Sequence, residues 1–303
     1  MSYKFLAGIL SGLLIGLIIT SSSVEAEISD KDQEAIYANL PQIIEAVDLD
    51  KSFNLAGEIM PDNFDNKERL DRELLVNAYW QSSTLLNIKS STRYFSTIEK
   101  ILKENGIPED FKYLAVAESN LRNETSPANA KGFWQFRTLA AKEFGLEVND
   151  EVDERCHLEK STLAACKYLK QLYGRFGSWT NAAAAYNVGP TNFSRLQKSQ
   201  GEDNFYKLNL NSETSRYVFR IIAIKEIMSH PENFGFYLDD AKKYVPLDDY
   251  YEVTVDSTVD SWSDFAKKHG TSYRMLKVYN PWLMDNKLTV IKNSYQIKIP
   301  KNS

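Results

Sequence analysis

One short apolar segment of the sequence carries a carboxylate where a buried side chain is expected. Phe111, Leu114, Ala115 and Glu118 stand at positions i, i+3, i+4 and i+7, so a helix through them turns all four side chains to one face. Pro108-Glu109-Asp110 comes just before and is typical of a helix start. The pattern therefore predicts a helix over 108–118 with Glu118 on its interior face.

Burial would change the chemistry of Glu118. Removal from water disfavours the carboxylate and raises the pKa above the free value of about 4.3. A carboxyl group that titrates near neutral pH can donate a proton and later accept one. The alternative is a structural glutamate held by an arginine or by the N-terminus of a neighbouring helix. Periodicity alone does not decide between a catalytic and a structural Glu118.

The elements around Glu118 are predicted to be mainly helical. Apolar residues recur at helical spacing, with almost no alternation of period two before residue 230. The pattern predicts helices over 67–79, 94–102, 108–118, 159–173, 178–186 and 214–228. After His230-Pro231 the pattern changes to strand, helix, helix, strand, with the two helices predicted over 262–268 and 273–279. We therefore expect a helical N-terminal region over 27–107, a helical domain over 108–232, a linker over 233–248 and a small α+β (βααβ) module over 249–300.

The first residues have the layout of a signal peptide. Lys4 precedes an apolar run from Phe5 to Ile19, and small residues follow up to Ala26. The run is shorter than the ~20 residues that a membrane span needs. We predict a signal peptide over 1–26 with cleavage after Ala26. An uncleaved segment would instead associate the chain with the membrane.

Charge and histidine placement exclude several classes of function. The net charge is −5 and no block of Lys and Arg is present, which argues against a nucleic-acid partner. His157, His230 and His269 are scattered and form no zinc-binding pattern. We predict no metal and no cofactor.

The only cysteines are Cys156 and Cys166. Helical spacing of the neighbouring apolar residues places Cys166 on a buried stripe, more than one turn beyond Cys156. Two helical residues at this separation lie about 15 Å apart, whereas a disulfide needs Cα atoms within about 7 Å. We expect two buried or half-buried thiols.

Three motifs connect Glu118 to a known family. They are Ala117-Glu118-Ser119-Asn120-Leu121, the segment Ser126 to Phe136, and Ala184-Ala185-Tyr186-Asn187-Val188-Gly189. Their order within about 120 residues is far more specific than a single Glu-Ser pair. The arrangement, with Glu213-Thr214 and Tyr217-Val218 further on, resembles the soluble lytic transglycosylase family. The resemblance implies a goose-lysozyme-like helical domain and peptidoglycan glycan strands as its partner. Together with the predicted signal peptide, we expect an exported monomer in the periplasm or cell envelope.

The resemblance also implies roles for single residues. Glu118 would be the only catalytic acid and base: it would protonate the oxygen between N-acetylmuramic acid and N-acetylglucosamine. The acetamido oxygen of the substrate would stabilise the anomeric carbon, and Glu118 would then take the proton of the 6-hydroxyl to close a 1,6-anhydro ring. The expected substrate-binding residues are Ser119, Gly132, Phe133, Trp134, Gln135, Ala185, Tyr186, Asn187 and Tyr217.

Some of these residues have a structural alternative. Phe133 or Trp134 is expected to stack on a sugar face, but aromatic side chains also dominate protein cores. Tyr217 could equally pack beside Val218 and Ile221. Hydroxyl, amide and phenol groups at the remaining positions suit hydrogen bonds to neutral sugar groups.

The C-terminal segment from Tyr250 to Pro300 resembles a LysM module. Tyr279-Asn280-Pro281 and Ile299-Pro300 fit this family, whereas Asp256-Ser257-Thr258-Val259 departs from it. Such a module would bind the N-acetylglucosamine face of glycan strands; the alternative is a module that only packs against or spaces the enzyme. For the whole chain, the alternatives are a hydrolytic lysozyme-like muramidase and a non-catalytic peptidoglycan-binding scaffold. A second carboxylate that positions a water would favour the muramidase.

Overall fold

The computed structural model describes residues 46–301. The predicted signal peptide and the start of the predicted helical N-terminal region lie outside these residues. The described helices are α1 Phe64–Tyr79, α2 Gln81–Glu104, α3 Phe111–Ser119, α4 Thr138–Glu143, α5 Leu158–Phe176, α6 Trp179–Val188, α7 Pro190–Gln200, α8 Ser212–Ser229, α9 Trp262–Lys268 and α10 Tyr273–Tyr279. The described strands are β1 Asn54–Leu55, β2 Glu58–Ile59, β3 Tyr250–Val255 and β4 Tyr295–Pro300, and they form two antiparallel pairs.

The mainly helical fold with a small C-terminal sheet confirms the predicted fold class. α9 and α10 have the predicted bounds. The hairpin β1–β2, α4 and α7 were not predicted. Strands of two residues and a helix of six are too short to show a period. In α7 only Phe193 is buried, so that helix has no apolar stripe.

The larger core lies among the helices that carry the three motifs. α8 packs against α1, α3 and α6. In α6 the four alanines from Ala182 to Ala185 are completely buried, and their small side chains let neighbouring helices come close. The ends of α3 and α6 and the start of α8 therefore meet at one place on the molecule.

The C-terminal segment forms a second core. β3 pairs with β4 so that Tyr250 lies opposite Pro300, and Trp262, Leu276 and Ile297 are completely buried beside the sheet. Val152 and Cys156, which precede α5, belong to the same cluster. The backbone of this preceding segment also bonds to the module, with Asp153 N donating to Trp282 O at 2.9 Å. The module is thus packed directly onto the helical part of the chain.

Both cysteines are buried and free, which confirms the expectation of two thiols. They belong to different cores: Cys156 packs with the module, and Cys166 packs with the helices. Burial raises the pKa of each thiol to about 11. Within residues 46–301, the structure has no helix of the length and apolar character that would cross a membrane.

Candidate active site

A cavity of about 600 Å³ opens where α3, α6 and α8 meet. Five of the residues predicted for the site line it. They are Glu118, Gln135, Tyr186, Asn187 and Tyr217. Residues of the loop over 126–137 also line it. The cavity therefore brings together residues from all three motifs.

Glu118 lies in the last turn of α3. The helix ends because Asn120 adopts a left-handed conformation, with φ 51°, which asparagine tolerates better than most residues. The Asn120 side-chain oxygen accepts a hydrogen bond from Asn87 of α2 at 2.9 Å. This contact connects the end of α3 to α2, and Glu118 lines the cavity.

The surroundings of Glu118 raise its pKa to about 7. Burial is the largest cause, and the negative charge of Glu213 acts in the same direction. The Tyr217 hydroxyl donates a hydrogen bond to Glu118 Oε1 and lowers the pKa, as does the positive charge of Arg220. A carboxyl group with this pKa is present in both protonation states near neutral pH, which suits a single residue that acts first as acid and then as base.

Asn187 joins the end of α6 to the start of α8. Its side-chain oxygen accepts from the Thr214 hydroxyl at 2.9 Å, and its amide nitrogen donates to Glu213 Oε1 at 3.4 Å. Both bonds orient the Asn187 amide at the rim of the cavity. Asn211 caps α8, accepting from the backbone of Thr214 at 2.9 Å.

One face of α8 supplies three cavity residues. Glu213, Tyr217 and Arg220 are spaced i, i+4 and i+7 and all line the cavity. The motif that includes Glu213-Thr214 was recognised in the sequence without a role for Glu213, and Arg220 was missed. The same spacing that put Glu118 on one face of α3 would have placed Arg220 beside Tyr217.

Two family comparisons match this architecture. Residues 95–209 match the transglycosylase SLT domain, and residues 251–303 match the soluble lytic transglycosylase C-terminal LysM-like domain. The chain contains an SLT domain. α1 and α8 lie outside the matched range of the SLT domain, although α8 supplies three residues of its cavity.

The chain is also similar to curated proteins. The chain is 27% identical over 248 residues to membrane-bound lytic murein transglycosylase D of Escherichia coli strain K12, which covers 80% of this chain and 53% of that protein. It is 27% identical over 117 residues to a putative tributyltin chloride resistance protein of Alteromonas sp. strain M-1, covering 38% of this chain and 56% of that protein. The chain spans about half the length of these relatives.

The remaining predicted residues hold the SLT domain together. The Phe133 and Trp134 side chains are 2% and 0% exposed, and neither lines the cavity that contains Glu118. The stacking of one of them on a sugar stays a prediction. Trp134 Nε1 donates to Thr162 Oγ1 at 3.0 Å inside the core, where the indole keeps its hydrogen bond without reaching solvent. Ala185 is also completely buried.

Hydrogen bonds to the backbone of residues 132–134 connect the three motifs of the SLT domain to one another. The Ser119 hydroxyl donates to Phe133 O at 2.9 Å, and the Tyr186 hydroxyl donates to Trp134 O at 2.7 Å. Gln135 has φ 48°, and its amide nitrogen donates back to Gly132 O at 2.9 Å. Ser119 and Tyr186 therefore bind the backbone of the second motif, and this fixes the wall of the cavity.

Gly132 is required by packing. Its φ is 82°, and a Cβ at this position would lie 1.8 Å from the backbone oxygen of Arg155. Only glycine allows both this conformation and this close approach. Within residues 46–301, His, Cys, Asp and Glu side chains form no group of three or more that could hold a metal ion.

Proposed function

We propose that this protein is a peptidoglycan lytic transglycosylase. It cleaves the β-1,4 bond between N-acetylmuramic acid and N-acetylglucosamine without water and leaves 1,6-anhydro-N-acetylmuramic acid ends. The observation that carries the proposal is Glu118, which faces the cavity of the SLT domain with a pKa of about 7 and a hydrogen bond from Tyr217.

Glu118 acts twice in the proposed reaction. The protonated side chain donates its proton to the glycosidic oxygen as the bond from this oxygen to the anomeric carbon breaks. The acetamido oxygen of the N-acetylmuramic acid stabilises the anomeric carbon, which lets one carboxylate suffice. The Glu118 carboxylate then takes the proton of the 6-hydroxyl, whose oxygen bonds to the anomeric carbon, and the enzyme returns to its first state.

Tyr217 steadies Glu118 through both steps. Burial and the nearby Glu118 charge raise the Tyr217 pKa well above its usual value of 10, so the phenol stays protonated and continues to donate. Gln135, Tyr186 and Asn187 line the same cavity. We assign them contacts with the neutral polar groups of the sugar, because amide and phenol groups form hydrogen bonds without competing for the proton.

The muramidase alternative has one observation in its favour. Glu213 is a second carboxylate in the cavity, and hydrolysis with inversion uses such a group to activate a water. In this structure Glu213 accepts a hydrogen bond from Asn187. This bond orients the Glu213 carboxylate in the lining of the cavity. The products distinguish the two reactions, because hydrolysis leaves reducing ends.

We propose that the LysM-like module binds glycan strands beside the SLT domain. Glu151 Oε1 accepts from the Thr289 hydroxyl at 3.0 Å, and Met284 N donates to Glu151 O at 2.9 Å. Because these contacts fix the module, a bound strand would raise the local substrate concentration without a flexible tether. We place the protein in the cell envelope as an exported monomer, cleaved after Ala26.

Digestion of purified peptidoglycan followed by mass spectrometry tests the function. We expect the mature protein to release 1,6-anhydro-muropeptides and Glu118→Gln to release none. Glu143→Gln is the matched control, because Glu143 is exposed on α4 and lies outside the cavity. Reducing-end products would establish the muramidase, and binding of peptidoglycan without products from the wild type would establish the scaffold.

A further inference from the structure

A buried acid lies in a part of the chain that the family match leaves out. Glu73 is in α1, before the SLT domain begins at residue 95, and its side chain is 0% exposed. An ionised carboxylate in such a position needs positive partners, since its desolvation is otherwise too costly.

Three arginines surround the Glu73 carboxylate. Arg216 Nε lies 2.6 Å from Oε1, Arg72 Nη1 lies 2.8 Å from the same oxygen, and Arg220 Nε lies 3.4 Å from Oε2. Arg216 and Arg220 are one turn apart on α8. Glu73 therefore binds α1 to the helix that forms one wall of the cavity.

Arg220 contacts Glu73 and also lines the cavity. It pairs with Glu73 on one side and lines the cavity that contains Glu118 on the other. Arg216 shares the carboxylate but does not line the cavity. The position of the Arg220 guanidinium thus depends on a residue that has no place in the cavity itself.

We propose that Glu73 is a positioning residue of this site: its carboxylate holds the Arg220 guanidinium in the cavity wall and keeps it from pairing directly with Glu118. The inference rests on the proposed role of Glu118 as acid and base. A direct ion pair with Arg220 would keep Glu118 ionised at neutral pH and remove the acid that the first step needs.

Other groups also act on Glu118. The titratable and charged groups that line the same cavity are Arg137, Tyr168, Tyr186, Glu213, Tyr217 and Arg220. Burial raises the pKa of Glu118 most, and among the charges Glu213 raises it and Arg220 lowers it. Glu73 offsets the charge of Arg220. Its removal therefore leaves more of that positive charge acting on Glu118.

The proposal is tested by the titration of Glu118. The Glu118 carboxyl is followed by carbon NMR across pH in the mature protein, beside the pH dependence of 1,6-anhydro product release. We expect Glu73→Gln to move the Glu118 midpoint down by about half to one pH unit. Arg220→Gln should move it up, and the double variant should titrate like Arg220→Gln. Arg216→Gln is the control, with loss of stability but little change in the midpoint.

Each outcome bears on one proposal. A folded Glu73→Gln protein in which Glu118 titrates as in the wild type would overturn the positioning role and leave Glu73 a structural residue. Should Glu73→Gln not fold, Glu73→Asp keeps the charge one methylene further from Arg220, and an unchanged midpoint there would overturn the proposal as well. A wild type that releases no 1,6-anhydro product while the NMR midpoints move as expected would instead contradict the proposed function alone.

Discussion

Two cavities of this protein each contain a glutamate, and their electrostatics are opposite. Glu118 lines the cavity of the SLT domain, where its pKa is raised to about 7. Glu159 lines a second cavity of about 520 Å³ between the helical part and the LysM-like module, where its pKa is lowered to about 2. Burial is the largest single influence at both sites and raises the pKa of each glutamate.

The partners of each carboxylate explain the difference. Glu159 forms a salt bridge with Lys298 of β4 and lies 3.1 Å from His157 Nδ1. Glu118 has a neutral donor, Tyr217, and the negative Glu213 in its cavity. The contact with His157 and the positive charge of Lys298 hold Glu159 ionised as a structural contact, whereas the neutral Tyr217 leaves the Glu118 proton available.

The largest effect is expected where the two cavities share a wall. Phe133 lines the second cavity and Gln135 lines the first, and Gly132 precedes both. Gly132→Ala should destabilise the protein by about 4 kcal/mol, because its Cβ would collide with the Arg155 backbone at a positive φ. Urea unfolding measures this change. Gly174→Ala is the control, with open space around its Cβ, and equal stability of both variants would contradict the packing argument.

Replacing Glu118 should change how stability depends on pH. The folded pKa of about 7 lies above the ordinary value of 4.5, so the stability that Glu118 contributes is fully present below pH 4.5 and is lost as pH rises through 7. Glu118→Gln has no such loss. The free energy of unfolding of Glu118→Gln minus that of the wild type should therefore be greater at pH 8 than at pH 4, by at most about 3 kcal/mol. Thermal unfolding at both pH values measures this, and a constant difference would show that the Glu118 pKa is not raised.

Removing the Tyr217 hydroxyl should widen the difference between the pKa of Glu118 and that of Glu159. The Tyr217 hydrogen bond lowers the Glu118 pKa, so Tyr217→Phe should raise it above 7 and move the alkaline limb of the pH–rate profile upward. A hydrogen bond to a charged group contributes about 1.5–3 kcal/mol, and we expect the rate at the optimum to fall about tenfold. Tyr173→Phe, on the exposed surface of α5, is the control. An alkaline limb that moves to lower pH would contradict the assigned direction.

The smallest effect is expected at the second cavity. Lys298→Met removes the positive partner of Glu159, whose folded pKa lies below its ordinary value. The stability from this pair is present above pH 4.5 and is lost as pH falls toward 2. Because Glu159 is 33% exposed, the loss at pH 7 should be about 1 kcal/mol. Denaturation at pH 7 and pH 3 measures it, and a loss that is larger at pH 3 would reverse the sign of the argument.

The sequence predicted local features of the fold better than the assignment of side chains to the site. Helical spacing predicted α9 and α10 at their observed bounds and placed Glu118 on the interior face of α3. The same reasoning could not tell whether Trp134 meets a ligand or the core. Its indole donates a hydrogen bond to Thr162 in the core. Thr162 belongs to α5, which lies outside the motif that contains Trp134.

The sequence by itself determined the helices, the position of Glu118 on one of them and the order of the two domains, because these follow from periodicity and from motifs along the chain. Only the tertiary structure decided what surrounds the carboxylate. Tyr217 lies 99 residues from Glu118, and Arg220 lies 147 residues from Glu73. The spacing of residues within one helix defines which of them share a face, but the group that this face meets depends on how distant helices pack together.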